Sequence, residues 1–281
     1  MKLIYSALKI FKPLLLIIFL TSYTVLAQNP EQSIIDASNI TSWVEDNGFH
    51  HWVVNGEYNG SYPNGLPVGV IFSEGICWGG LVYDGQDQKV RVNGNNYGSG
   101  CSPITRLYRV RTDYYKADLT NDAENFFMKD REDITAEDLE TIRNQYEKDW
   151  NEWPADKGAP YYDADKDGSY NPNVDIPGVP GALQTLWIDY NDDGWQLYGS
   201  EVIGLDVRET YWVYGTEGRI SNIIYKKVDI IYRGTSSTPP GSRIDSMYIC
   251  QWTDTDLGNN TDDFIGTDTT LNLGYTYNSD D

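Results

Sequence analysis

Histidine and cysteine are scarce in this chain, and each scarcity excludes a class of chemistry. The two histidines, His50 and His51, are adjacent, so there is no spaced pair for zinc and little basis for a His-activated nucleophile. Three cysteines among 281 residues are too few for a disulfide-stapled scaffold. Cys77 and Cys101 lie in neighbouring glycine-rich segments, and we expect them to pair after export. Cys250 lies in the apolar run MYICQW and is expected to be a small buried residue.

Positive charge is also scarce. Lysine and arginine number 21 against 42 acidic residues, which gives a net charge of −21. Without residues 1–27, which hold three lysines and no acid, the net charge becomes −24. This balance excludes general nucleic-acid binding, which needs basic residues to displace phosphate counterions. Neutral sugars, divalent cations and cationic surfaces remain open as partners, and the acidity also keeps a secreted protein soluble.

Long hydrophobic runs are absent after the first 27 residues. Lys2, Lys9 and Lys12 precede the apolar stretch PLLLIIFLTSYTVLA, which indicates a signal peptide cleaved near Ala27. No later stretch approaches the ~18 apolar residues that a transmembrane helix needs. We therefore expect a secreted, extracellular or cell-surface protein with no transmembrane segment in the mature chain.

Short apolar runs separated by glycine-rich turns dominate the remaining chain and predict strands. They occupy residues 39–111 and return in QTLWIDY, VRETYWVYG, SNIIYKKVDIIYRG and IDSMYICQW. In the third of these, Ile224, Lys226, Val228 and Ile230 are predicted to share one face. The fold class is therefore mainly β, a β-sandwich-like module over residues 28–281 with one helix and a long acidic loop inserted at about 117–181.

One helix is predicted inside that insertion, over residues 136–151. Thr135 is a candidate N-cap followed by acidic residues, and Pro154 ends the segment. Apolar residues recur at helical spacing along it: Leu139, Ile142, Tyr146, Trp150 and Trp153. This stripe is interpreted as a packing face.

The segment YYDADKDGSYNPNVDIPG, residues 161–178, resembles the first half of a calcium loop. Asp163, Asp165 and Asp167 alternate before Gly168, and such carboxylates converge on one hard cation when glycine permits the turn. The Ser169 carbonyl would be a further ligand, and Asp175 would close the site one position later than in an EF-hand. Prolines exclude a following helix. The alternative is a run of Asx-turns on a solvated surface.

Two other acidic segments are weaker candidates. Asp189, Asn191, Asp193 and Glu201 follow the same spacing, and the pattern leaves open whether they bind an ion. A third cluster places five carboxylates beside a strand: Asp254, Asp256, Asp262, Asp263 and Asp268. Charge repulsion among five such groups favours a bound cation, so these residues are also predicted metal ligands, with Ca²⁺ as the cofactor.

Four segments together resemble a group of large secreted proteins of the Bacteroidetes type, exported by the type IX system and described as sorting-domain-containing. The segments are GICWGG, WPADKGAPYYDADKDGSYNPNVDIPG, LQTLWIDYND and QWTDTDLGNNTDDFIGTDTTLNLGYTYN. The resemblance implies secretion and calcium binding but names no reaction. Because members of the group continue into further β-domains and a sorting domain, it also implies that this chain is a fragment of a longer protein.

Three functions are compatible with these patterns. The leading hypothesis is a calcium-stabilised surface or secreted module with a structural, adhesion or binding role toward a surface protein. A carbohydrate-binding module is the alternative, because nine Trp and 22 Tyr could stack on extracellular polysaccharide, although these residues also favour strands. A glycoside hydrolase using a carboxylate pair such as Glu209 and Asp229 ranks last.

Overall fold

The computed structural model of this chain describes residues 31–51, 59–66, 68–97, 100–193 and 198–279. The expected signal peptide lies outside them. These residues form a mainly β, sandwich-like structure of antiparallel sheets, as the sequence predicts. No described helix is both long and apolar enough to cross a membrane.

The described strands are numbered in chain order. They are β1 (Gln32–Ile35), β2 (Thr41–Glu45), β3 (His50–His51), β4 (Gly60–Ser61), β5 (Gly69–Ile71), β6 (Ser73–Tyr83), β7 (Val90–Gly94), β8 (Ser102–Pro103), β9 (Tyr108–Arg111), β10 (Tyr161–Tyr162), β11 (Ile176–Pro177), β12 (Gln184–Asn191), β13 (Leu205–Val213), β14 (Tyr225–Tyr232), β15 (Arg243–Asp254), β16 (Asp263–Asp268) and β17 (Leu273–Asn278). The α-helices are α1 (Thr120–Phe127) and α2 (Ala136–Asn151), and short 3₁₀ turns span Arg131–Asp133, Ala155–Lys157 and Arg219–Asn222.

Two sheets contribute most of the core. The first has the order β14-β13-β12-β8, with β9 also paired to β12. The second has the order β15-β6-β3, with β7 also paired to β6. A smaller sheet, β1-β2-β4-β5, and the two-stranded ladders β10-β11 and β16-β17 complete the described strands.

The main core packs residues of both large sheets against one another. Strand alternation directs Leu186, Ile188 and Tyr190 of β12 into this core, where they meet Ile76 and Trp78 of β6. Other buried members are Ile35, Val44, Val82, Leu205, Val207, Tyr211 and Val213. The predicted face of β14 is confirmed, since its apolar members Ile224, Val228 and Ile230 pack against this cluster.

The insertion covers the opposite face of the β12 sheet. Trp187, one position out of phase with the core residues, packs with Val110, Trp153 and Ala159 in a second cluster. Because both faces are covered, seven of the eight β12 residues are buried. The acidic loop is thereby held over a rigid sheet.

Helix α2 has the predicted bounds and the predicted cap. The Thr135 side chain accepts from the Asp138 N–H, and the Asp138 carboxylate accepts from the Thr135 N–H, which is a complete capping box. Ile142 and Tyr146 are buried against Leu119 and Ala123 at helix α1. Helix α1 was missed from sequence: it is one short stretch, TNDAENFF, of residues with modest helix propensity.

The cysteine predictions are contradicted by the strand pairing. All three cysteines are free, and Cys77 lies directly opposite Cys250 on β15. Cys101 is buried in the main core, into which Ile76 and Trp78 point, so Cys77 between them faces the other way. Cys250 is exposed rather than buried, because its strand pairs only with β6 among the described strands.

Candidate metal centre

The acidic loop is closed at its base by the ladder of β10 and β11. Tyr161 pairs with Pro177 and Tyr162 with Ile176, so residues 163 and 175 leave the ladder side by side. Asp163 and Asp175 therefore occupy the two stems of the loop. This pairing explains why the closing acid comes one position later than in an EF-hand, since the ladder positions Asp175 without a helix.

Three of the predicted ligands converge. Asp163, Asp165 and Asp175 each offer an oxygen, and these oxygens lie within 4.8 Å of one another. Gly168 has a φ of +80°, and its N–H donates to Asp163 Oδ2 at 2.9 Å. A glycine is favoured at this φ, and the resulting turn folds the loop back onto its first aspartate.

Asp175 is the buried member of this group. Its two carboxylate oxygens accept from the backbone N–H groups of Ala164, at 2.9 Å, and Asn171, at 2.7 Å. Because the side chain is only 2% exposed, these bonds fix its position. Each oxygen retains a lone pair for a further partner.

The electrostatics of the group favour a positive partner. Asp163 Oδ1 is buried and has no hydrogen-bond partner, which is costly for a carboxylate oxygen. Loss of solvation and the neighbouring charges of Asp167 and Asp175 raise the pKa of Asp165. Within the described part of the chain, no lysine or arginine forms an ion pair with these carboxylates.

The donor set fits a hard divalent cation. Calcium binds oxygens at about 2.3–2.6 Å, so two of its ligands lie at most ~5 Å apart, which is compatible with the spacing of these three oxygens. The group contains neither histidine nor cysteine, which zinc and copper prefer. Asp167 lies outside the group of three, and its carboxylate accepts from the Ser169 N–H at 2.8 Å. Participation of Asp167 and of the Ser169 carbonyl therefore stays a prediction.

Aromatic side chains of the insertion tie the loop to helix α2. The Tyr170 hydroxyl donates to the Trp150 carbonyl at 2.5 Å, and the Trp150 indole N–H donates to the Pro172 carbonyl at 3.1 Å. The Trp153 indole N–H donates to the Pro160 carbonyl at 2.8 Å. The stripe of α2 thus packs as predicted, and its last two tryptophans also carry polar bonds to the loop.

In the second candidate ion site, the central residue is one that the sequence analysis did not identify. Asp192 is fully buried, and its carboxylate accepts from the N–H groups of Ile203, Gly204 and Leu205 at 2.9 Å. Its role is to hold the turn before β13. Asp192 lies between Asn191 and Asp193, which belong to the alternating pattern, and Asp192 itself does not. The pattern therefore gave no indication of its role.

The four predicted members of that candidate have separate surroundings. Asp189 is buried beside Arg208, with 3.9 Å between Oδ2 and Nε, and burial raises the pKa of Asp189 to about 6. The Asn191 side chain accepts from the Asp193 N–H, as in an Asx-turn. Glu201 is exposed, and residues 194–197 of the segment lie outside the described residues.

The third cluster is divided by strand β16. Asp263 and Asp268 are its first and last residues and so lie ~17 Å apart, which prevents them from sharing one ion. Asp268 accepts from the hydroxyl and N–H of Thr270 and from the Leu271 N–H, and these bonds lower its pKa. The five-residue site is therefore corrected: Asp268 is a turn residue of the β16-β17 hairpin.

The remaining members of the third cluster are closer together. Desolvation and the charges of Asp254 and Asp263 raise the pKa of Asp256. Asp262 and Asp263 each have one buried oxygen without a hydrogen-bond partner. Among the described residues, however, only Asp163, Asp165 and Asp175 bring three ligand atoms within 4.8 Å.

The carboxylate pair considered for glycoside hydrolysis does not exist in the structure. Glu209 faces the main core and is fully buried, whereas Asp229 pairs with the exposed Lys227. Glu209 is opposite Val228 in the β13-β14 ladder, and Asp229 is opposite Arg208, so the two carboxylates lie on opposite faces of the sheet.

Glu209 instead anchors a buried polar network. Its carboxylate accepts from the hydroxyls of Tyr190, at 2.5 Å, and Tyr211, and forms an ion pair with Lys226 at 2.8 Å. Burial opposes ionisation, but the Lys226 ammonium and the hydrogen bonds hold the pKa of Glu209 well below its usual range. His50 Nδ1 accepts from the Glu45 N–H, which leaves the proton on Nε2, 2.7 Å from the Tyr211 hydroxyl. This network is enclosed and structural.

Comparison with protein-family models, curated proteins and solved structures finds no match for this chain.

Proposed function

We propose that this protein is a secreted or cell-surface β-module stabilised by calcium, with a structural, adhesion or binding role. The observation that carries the proposal is the convergence of Asp163, Asp165 and Asp175 within 4.8 Å, with Asp163 Oδ1 buried and unpartnered. Export follows from the expected signal peptide and agrees with the type IX group that the sequence resembles. Calcium would be bound by these three residues, with Asp167 and Ser169 as further candidates.

The position of the loop supports a structural role for the ion. The loop lies between α2 and β12 in sequence, and its flanks pack on the outer face of the β12 sheet through Trp153 and Ala159. A cation bound by Asp163 and Asp175 at the loop stems would link the end of β10 to the start of β11. Its positive charge would also remove the repulsion among the carboxylates. Extracellular sites of this kind bind calcium with dissociation constants of roughly 10⁻⁴–10⁻³ M.

Thermal melting in calcium and in chelator tests the proposal. With those dissociation constants, about 10 mM calcium stabilises the fold by about 1.4–2.7 kcal/mol, a rise in Tm of roughly 3–10 °C. Magnesium at the same concentration should give a smaller rise, because it demands a tighter octahedral geometry.

Two variants make the melting test specific. Asp165→Asn removes a ligand charge from an exposed position, so it should abolish most of the calcium response while raising the Tm in chelator by relieving repulsion. Asp156→Asn changes an exposed aspartate outside the group and should leave both values unchanged. A calcium response that survives in Asp165→Asn would contradict the assignment of the site.

A second candidate function, carbohydrate binding, is favoured by an aromatic platform on the β16-β17 hairpin. Phe264 and Tyr277 are stacked with ring centroids 5.8 Å apart, and Tyr275 lies 5.9 Å from Tyr277. All three side chains are about half exposed and share one face of the hairpin. Flat, exposed rings of this kind offer a stacking surface for the apolar faces of sugar rings.

A glycan array with matched variants separates this candidate from a purely structural role. The double substitution Tyr275→Ala and Tyr277→Ala should abolish binding to any polysaccharide that the unmodified protein retains. Ile265→Ala, at a more exposed position on the opposite face of the same hairpin, should not. Absence of binding to every polysaccharide would remove this candidate.

A further inference from the structure

Cys77 and Cys250 form a cross-strand pair in the middle of the β6-β15 ladder. They are directly opposed in register, so their side chains project from the same face of the sheet. Opposed residues in antiparallel strands have Cα atoms about 4.5–5.5 Å apart, within the range of disulfide-bonded cysteines.

The surroundings leave room for the two sulfur atoms to approach. On its other side Cys77 is opposite Gly94, which carries no side chain. The pair borders an apolar groove of about 440 Å³ whose lining includes Leu81, Val92 and Tyr248. No bulky side chain separates the thiols, and Cys250 is exposed to reagents in solution.

We propose that Cys77 and Cys250 are the oxidation site of this protein and form a disulfide that joins β6 to β15. The oxidant is a disulfide of the thiol-exchange class, either a small molecule or an oxidoreductase. The exposed Cys250 thiolate attacks one sulfur of the oxidant's disulfide and forms a mixed disulfide with it, while the S–S bond of the oxidant breaks and its other sulfur leaves as a thiolate. The Cys77 thiolate then attacks the Cys250 sulfur and releases the second thiol of the oxidant. The protein loses two protons and two electrons, and the oxidant becomes two thiols.

Cys101 is excluded from this chemistry by its position. It is 6% exposed, burial raises its pKa far above the ordinary value, and its N–H is bonded to the Asn95 side chain. The bond between Cys77 and Cys250 would close a long loop that includes the insertion, β12, β13 and β14. It would therefore fasten β15, which pairs with β6 alone among the described strands, to the rest of the fold.

Thiol counting and peptide mapping on the full chain test this assignment. Folded, fully reduced protein is equilibrated with glutathione disulfide, denatured and titrated with a thiol reagent. The count should fall from three thiols to one, and non-reduced peptide mapping should recover a single cross-link joining Cys77 to Cys250. Oxidation should raise the Tm by roughly 5–10 °C because the closed loop is long.

Variants identify the partners independently of the mapping. Cys101→Ala should still lose two thiols on oxidation, whereas Cys250→Ser should keep Cys77 and Cys101 free. Retention of three thiols in the unmodified protein, a stable glutathione adduct on Cys250, or a cross-link from Cys77 to Cys101 would each overturn the proposal.

Discussion

The Lys226 ammonium lies 2.8 Å from Oε2 of Glu209. This ion pair borders the apolar core between the two large sheets. Lys226 belongs to a strand face that is otherwise apolar, with Val228 and Ile230. The pair is the reason that a lysine can occupy this face, since neither charge could be buried alone without a large cost in solvation.

Substitution of Lys226 should therefore be costly. Lys226→Met leaves the fully buried Glu209 without its counter-charge and should lower the free energy of unfolding by about 3 kcal/mol. Lys227→Met is the matched control, because that neighbouring lysine is exposed and pairs with the exposed Asp229, and it should cost less than about 0.5 kcal/mol. Urea unfolding measures both, and equal losses would contradict the role of the buried pair.

Buried carboxyls with raised pKa values should make the protein less stable as the pH rises. Burial, together with the charge of Asp122, raises the pKa of Asp36 to about 7, and burial raises that of Asp46 to about 6. Such groups bind more protons in the folded than in the unfolded state at intermediate pH, so the free energy of unfolding falls between about pH 4 and pH 7. For Asp36 the loss is on the order of 3 kcal/mol. Below about pH 4.5 the lowered pKa of Glu209 acts in the opposite sense, because stability is lost as that carboxylate protonates.

Melting temperatures in chelator between pH 4 and pH 8 measure this dependence. Asp36→Asn, whose neutral amide replaces the protonated carboxyl, should flatten the decline toward neutral pH. Asp87→Asn, an exposed position, should leave the profile unchanged. A stability that rises steadily from pH 5 to pH 8 in the unmodified protein would contradict the assignment.

The cap of α2 should contribute measurably to stability. Thr135→Ala removes the side chain that accepts from the Asp138 N–H and should cost about 1 kcal/mol. Thr141→Ala, at an exposed interior position of the same helix, should be neutral within a few tenths of a kcal/mol. If chemical denaturation gave the same change in the free energy of unfolding for both variants, the capping box would make no measurable contribution to stability.

These contrasts show which parts of the structure could be predicted from sequence. Helix α2 was predicted with its bounds because its cap and its apolar spacing are local signals. The alternating acids Asp163 and Asp165 were recognised for the same reason. The residues that share the core-facing side of β14 were predicted from alternation alone. No local pattern, however, indicated that Glu209 would pair with Lys226 on that side.

The failures concern contacts between distant segments. Asp175 was a predicted ligand, but the ladder of β10 and β11 that brings it to the loop stem was not predicted, because no short pattern reveals that pairing. The opposition of Cys77 and Cys250 is set by the register of β6 and β15, far apart in the chain. Asp268 was grouped with Asp263 by sequence distance, whereas an extended strand separates them.

The most direct test of calcium at the acidic loop is an amide NMR titration of the protein in its calcium-free form. The backbone N–H groups of Gly168, Ala164 and Asn171 donate to the carboxylates of Asp163 and Asp175, so they report on any ion bound there. We expect their resonances to shift together along one saturating curve with a midpoint of roughly 10⁻⁴–10⁻³ M calcium, and to stay fixed in Asp163→Asn. If the three resonances do not move at about ten times that concentration, or move equally in Asp163→Asn, the loop is a solvated acidic turn and calcium does not bind there.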